Sequence, residues 1–184
     1  MGWNELMIWH CSPTLANIKS ASLFRIKVDN KEAYQAWESS MQKELAPRGV
    51  TMLALKSCSG GVLLYVYRKK KLEKELEKPE VRQFLKKKGY PDGTVEEMIG
   101  HLRSRMSDTC EFPHEIGLFL GYPIEDVEGF VKNKGQNCIF TGYWKVYGNP
   151  EQCRNTFARY DRCSEIYKRL FANGRSLRQL TVNI

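Results

Sequence analysis

Val50-Thr51-Met52-Leu53-Ala54-Leu55 and Val62-Leu63-Leu64-Tyr65-Val66-Tyr67 flank the segment Lys56-Ser57-Cys58-Ser59-Gly60-Gly61. Two β-rich runs around a Gly-containing linker read as a hairpin. Upstream, Phe24-Arg25-Ile26-Lys27-Val28 alternates apolar and polar residues, the pattern of a half-buried strand. Asp29 or Asn30 caps a helix through about Leu45, which Pro47 and Gly49 end. Downstream, residues 69–88 are helical with a break or restart at Pro79. Thr94 and Glu97 form a capping box for a helix to about Met106. Ile139 to Tyr147 reads as a strand. Gly148-Asn149-Pro150 leads into a long helix to about Ala172, with Cys153, Phe157, Tyr160, Tyr167 and Phe171 on one face. Asn173-Gly174 caps its C-terminus. Strands and helices do not alternate strictly, so the fold class is α+β: a small, mainly antiparallel sheet with a hairpin, packed with several helices. Residues 1–184 are read as a single domain, long enough to bury a real core.

One pattern recurs at an offset of 32 residues: Gly89-Tyr90-Pro91 before Val95-Glu96, and Gly121-Tyr122-Pro123 before Val127-Glu128. Each reads as a helix–turn–helix corner. Gly takes the left-handed C-cap, Tyr folds back on the preceding helix and Pro opens the next one.

Composition excludes several classes. Hydrophobic residues make up 42% and charged residues 27%, so the chain is an ordinary globular one rather than a disordered one. No segment reaches the roughly 18 unbroken apolar residues that span a bilayer. The N-terminus lacks a basic n-region, so no secretory signal is read there. Leu6 stands where a myristoylation signal carries Ser or Thr. None of the six cysteines has C-x-x-C spacing. The chain is therefore expected to be cytoplasmic, with reduced thiols and no membrane partner. The formal charge of +8 suggests nucleic acid, but residues 111–148 carry five acidic groups against three basic ones. The Arg68-Lys69-Lys70-Lys71 run reads as a solvated helix start. Only non-specific nucleic-acid binding is expected.

Three stretches stand out: His10-Cys11-Ser12-Pro13-Thr14-Leu15 running on to Lys19, Phe112-Pro113-His114-Glu115-Ile116-Gly117-Leu118-Phe119-Leu120-Gly121-Tyr122-Pro123, and Gly142-Tyr143-Trp144-Lys145-Val146-Tyr147-Gly148. Together, in this order, they resemble a bacterial family of cytosolic proteins of unknown function. That resemblance covers nearly the whole chain. It implies no activity, and marks the three stretches as the places to look.

Their chemistry leaves alternatives open. His10-Cys11 lacks the Arg that a tyrosine-phosphatase loop needs: Asn17 holds that position and the nearest cation is Lys19. Cys11 is either a thiolate nucleophile activated beside His10 or a buried structural thiol next to a Ser12-Pro13-Thr14 cap. Leu118 stands where H-E-x-x-H needs its second His, so that zinc motif is absent. His114 can serve as acid, base or metal ligand with Glu115 orienting it, or as a helix-start residue. His10, Cys11 and His114 together would suit a metal or haem-like group. Tyr143, Lys145 and Tyr147 share one strand face and can bind an anionic or planar ligand, with Trp144 in the core. Ile116 to Phe130 also fits the spacing of a DNA-reading helix–turn–helix. However, Glu125, Asp126 and Glu128 fall at the groove-facing start, where carboxylates repel phosphate. The expected role is therefore to bind or sense a small anionic, metal-containing or haem-like ligand. A thiol-dependent enzyme using Cys11 and an interaction module on the corner are the alternatives.

Overall fold

The computed structural model describes residues 1–58, 60–108 and 112–183. The fold is α+β, with two compact units: residues 1–71 with 162–184, and residues 72–161.

The first unit holds a three-stranded antiparallel sheet of β1 (Ala21–Lys27), β2 (Val50–Cys58) and β3 (Gly61–Arg68), in the order β1-β3-β2. The hairpin turn is shorter than the sequence suggests, because Lys56, Ser57 and Cys58 still pair, opposite Leu63, Val62 and Gly61. A register shift between Ala54 and Lys56 lets the strand continue past the buried Leu55. Gly60 supplies the left-handed turn residue at φ 74°. Ser59 of the expected turn lies outside the described residues.

Helix α1 (Trp3–Leu15) was not legible as an amphipathic pattern. Its apolar residues surround the axis, and Pro13 sits inside its last turns. Met7, Cys11 and Leu15 enter the core with Phe24, Ile26, Leu64 and Val66. Helix α2 (Lys31–Leu45) starts where expected, with the Asn30 side chain accepting from Ala33 N at 2.9 Å. A 3-10 turn over Ala46–Arg48 and Gly49 at φ 76° end it.

Arg68 corrects the solvated reading of the basic run, because it is fully buried. Its guanidinium donates to the carbonyls of Thr14 (2.6 Å), Leu15 (2.5 Å), Arg48 (3.0 Å) and Val182 (3.0 Å). Thr14 and Leu15 close the C-terminus of α1, where orphan carbonyls and the helix dipole both favour a cation. The short helix α9 (Leu177–Leu180), with its Ser176–Gln179 capping box, seals the core.

In the second unit, α4 (Pro79–Lys87) carries Pro79 at its first turn. Helix α5 (Val95–Asp108) starts on the expected box, with Thr94 N donating to Glu97 Oε2 at 2.7 Å. Helix α3 (Lys69–Leu76) precedes α4, and its residues are divided between the units. Both Gly-Tyr-Pro corners close alike. Gly89 and Gly121 are left-handed at φ 87° and 74°, and Tyr90 and Tyr122 donate their N–H five residues back, to Leu85 and Gly117. The corners then differ: Pro123 opens α7 (Ile124–Lys132) directly, whereas α5 waits for Thr94. The element before α7 is a single turn, α6 (Ile116–Phe119), much shorter than the first helix of a DNA-reading pair.

Ile139–Tyr147 is not one strand. It folds into a tight hairpin of β4 (Phe140–Thr141) and β5 (Lys145–Val146), turned over Gly142-Tyr143-Trp144. Gly142 is required there, since a Cβ would fall 2.3 Å from the Phe157 ring. Helix α8 (Pro150–Ala172) is as long as its pattern implies. Cys153, Phe157 and Tyr160 are buried in the second unit, while Tyr167 and Phe171 pack on the core of the first. Gly174, at φ 87°, ends the helix. Among the described residues no helix is long and apolar enough to cross a membrane.

Candidate functional site

Within the first unit, α1 carries His10 and Cys11 on different sides. His10 is on the outer face, its ring stacked on Phe24 at 4.7 Å. Partial burial, then the nearby Lys168 charge, pushes its pKa down. Cys11 is fully buried, and that burial pushes its thiol up to about 12, against an opposing pull from Lys19 and a hydrogen bond with Ser22. At neutral pH such a thiol is protonated and out of reach. Lys19 is itself buried, and desolvation lowers its pKa to about 8. The stretch that carries the His-Cys motif is thus a polar seam of the core, with Thr14 Oγ1 and Ser22 Oγ 2.9 Å apart.

The other two motifs build one construction in the second unit. Its hub is Asp126, which is 2% exposed. Its Oδ2 accepts from Trp144 Nε1 at 2.6 Å and from Cys153 Sγ at 3.3 Å. Its Oδ1 accepts from the backbone N–H of Tyr147 and of Gly148, each at 2.7 Å. This corrects the placement of Asp126 on a solvent-facing groove surface: Glu125 and Glu128 are exposed, and Asp126 is not. A buried carboxylate holding four donors is a structural tie between α7 and the Gly-Tyr-Trp-Lys hairpin. It also holds the Cys153 thiol protonated, since burial first and the Asp126 contact second push that pKa up to about 11.

Trp144, held by that tie, stacks on Tyr122 (4.5 Å, 25°) and meets Phe157 edge-on (4.5 Å, 85°). The α6–α7 corner and the hairpin together line a partly open hollow of about 370 Å³. Ile116, Leu120 and Val127 form its floor, and Phe112, Tyr122, Phe130, Tyr143 and Trp144 its aromatic walls. Gly117 belongs to this wall, where a Cβ would press on Val127 at 2.8 Å and Tyr122 at 3.1 Å.

His114 and Lys145 are the basic groups on the wall. Both sit at the Phe130 ring: the His114 ring at 4.9 Å between centroids, and Lys145 Nζ at 5.9 Å. Lys145 Nζ also donates to Gly135 O at 2.7 Å, in the loop after α7. Tyr143 is 39% exposed at the mouth, and its hydroxyl donates to Asp161 at 2.9 Å. Tyr147 does not line the hollow. Its ring covers Gly129, and its enclosed hydroxyl has no hydrogen-bond partner among the described residues.

Glu115 is turned away from His114. It is buried, accepts from Tyr90 Oη at 3.1 Å and pairs with Arg105 Nε at 2.8 Å. Burial first and the Glu115 charge second push the Tyr90 phenol up. Of the proposed metal set, His10 and Cys11 belong to the first unit and His114 to the second. Among the described residues no three His, Cys, Asp or Glu side chains gather as metal ligands would. The sequence reading missed Phe112, Tyr122, Phe130 and Trp144 as site residues. For Phe112, Tyr122 and Trp144 the only signal was aromatic content inside the two motifs, and Phe130 lies outside both.

Comparison with known proteins supports membership of a family of unknown function. The pattern of one family, described as "Protein of unknown function (DUF3793)", matches residues 7–181, and the chain belongs to that family. No curated protein and no solved structure matches it.

Proposed function

We propose that this member of the family binds a small molecule in the hollow between the α6–α7 corner and the Gly-Tyr-Trp-Lys hairpin. One observation carries the reading: an aromatic-lined cleft of about 370 Å³, open on one side, whose lining includes the basic side chains of the central and third motifs. Ligand pockets are concave, mostly apolar, about 300–1,000 Å³ in volume and equipped with a few polar groups that fix orientation. Buried rings that meet only one another fill space, whereas these rings leave space open.

The wall is also preorganised. Asp126 fixes Trp144, Tyr122 stacks on it, and Gly117 lets Tyr122 and Val127 close in. A ligand entering such a site costs little ordering of the protein.

Calorimetric titration with a neutral flat probe, naphthylmethanol, tests this. The wild-type protein should bind it saturably at one site. Thr141 is exposed and lines the hollow. Thr141→Trp should therefore plug the space and abolish binding, with the circular dichroism spectrum unchanged. Phe112→Ala, at the rim, should weaken binding without plugging. Absence of wild-type binding, or equal binding by the plugged variant, would refute the reading.

A further inference from the structure

We infer that the ligand class is a flat aromatic acid, one apolar ring system carrying a single carboxylate or similar anion, and that Lys145 selects it; this rests on the pocket reading above. Lys145 carries three N–H donors, one of which is used on Gly135 O. Two remain for a ligand. His114 adds ring nitrogens beside the same Phe130 ring, so the basic groups of the lining collect there.

Acceptors are treated differently. Asp126 is the carboxylate of the lining, and both its oxygens are taken: by Trp144 and Cys153 on one, by Tyr147 N and Gly148 N on the other. A cationic ligand would therefore meet Lys145 and find no uncommitted carboxylate among the lining residues. An aromatic cage for a quaternary ammonium needs the opposite balance. An anion meets a cation whose charge is only partly used, over an aromatic face, in a setting of reduced dielectric that strengthens the pair.

The aromatic lining favours a flat ring over a flexible chain. Phe112, Tyr122, Phe130, Tyr143 and Trp144 make the lining mainly one of rings, with Tyr122 and Trp144 held in a stack at 25°. A rigid planar ligand covers such a lining while losing fewer rotamers than an alkyl chain of equal area. The ligand's ring then packs among the aromatic lining, and its anion meets Lys145 beside Phe130.

Four probes of similar size separate the possibilities by titration calorimetry: naphthoate, naphthylmethanol, naphthylmethylammonium and octanoate. Wild-type protein should bind naphthoate about tenfold or more tighter than naphthylmethylammonium, a difference of about 1.4 kcal/mol. It should also prefer naphthoate to octanoate. Lys145→Met should cost naphthoate about tenfold and leave naphthylmethanol within about threefold, since the alcohol does not need the charge. Lys145→Arg should keep the preference for the acid. Because Lys145 also holds the Gly135 carbonyl, retained naphthylmethanol binding by Lys145→Met doubles as the check that the site is intact. If that binding is lost, Lys145→Arg alone decides, by keeping or losing the preference for the acid. Equal affinity for acid and ammonium, or tighter binding of octanoate, would overturn the ligand class while leaving the pocket standing. If none of the four binds, the pocket reading itself fails.

Discussion

Replacing Asp126 by Asn tests the tie on which the candidate site is built. The carboxylate accepts four hydrogen bonds, from Trp144 Nε1, Tyr147 N, Gly148 N and Cys153 Sγ. An amide keeps one oxygen. If that oxygen stays on the two backbone donors, the amide NH₂ faces the indole N–H and the thiol, donor against donor. Hydrogen bonds to a charged group contribute about 1.5–3 kcal/mol each, and stranding a buried donor costs about 1–3 kcal/mol. Relief from burying a charge offsets part of this, so Asp126→Asn should destabilise by about 3 kcal/mol. Trp144→Phe removes the same bond from the other side and leaves a ring in place. A double-mutant cycle on the pair should return a coupling energy of about 1.5–3 kcal/mol. Urea unfolding followed by far-ultraviolet circular dichroism measures it without relying on tryptophan emission. Both single variants should also lose affinity for naphthoate, because the stacking wall is no longer fixed. Additivity of the two substitutions within about 0.5 kcal/mol would show that the bond is not made, and the reasoning from a rigid wall would fail.

Three further outcomes are expected. Lys19 is held near a pKa of about 8, below the 10.5 of an unburied lysine. Below that folded value both states are protonated and the buried charge costs its full amount. As pH rises above it the unfolded chain holds the extra proton, so this group's contribution to stability rises with pH, by at most about 1.4 kcal/mol per pH unit. Urea midpoints of the wild type should climb from about pH 7.5 to 8.5 relative to Lys19→Met, before the raised Cys11 thiol begins to oppose the trend; parallel curves for the two proteins would refute the burial argument. In alkylation at neutral pH, partly exposed Cys138 should react before Cys11 and Cys153, which are buried with thiols pushed up to about 12 and 11; fast labelling of Cys11, located by peptide mapping, would return it to consideration as a nucleophile. DNA binding should be weak, indifferent to sequence and largely lost between about 50 and 200 mM salt. Glu125→Gln with Glu128→Gln, both exposed, should strengthen that binding in a fluorescence anisotropy titration, and a preference for one duplex over shuffled competitors would contradict the expectation.

Much of the local structure was legible because its causes are local. Asn30, Thr94 with Glu97, Pro79 and the glycines at 49, 89, 121 and 174 act over three to five residues, and each stands where its helix starts or stops. Strand β1 followed from side-chain alternation and the antiparallel hairpin from two β-rich runs with a short connection, while the pairing of β1 with β3 was not read. Two stretches escaped the sequence reading, each for its own local reason. Helix α1 is apolar around its axis, so it has no stripe to detect, and Gly142-Tyr143-Trp144 hides a turn within residues rich in strand formers.

By itself, then, the sequence determined the α+β class, most helix limits, the paired corners and the three stretches worth attention. Only the tertiary structure decided what their polar residues do. Arg68 reads as the start of a solvated basic run because its acceptors lie 20 to 114 residues away in the chain. Asp126 reads as a surface carboxylate because its donors come from a hairpin and a helix 18 to 27 residues further on. Whether a charge is buried depends on distant partners that can satisfy it, and no periodicity in its own segment records them. The hollow is hidden for the same reason. Empty space is a property of how the corner and the hairpin pack, and a list of aromatic residues cannot tell rings that fill a core from rings that leave room beside Lys145.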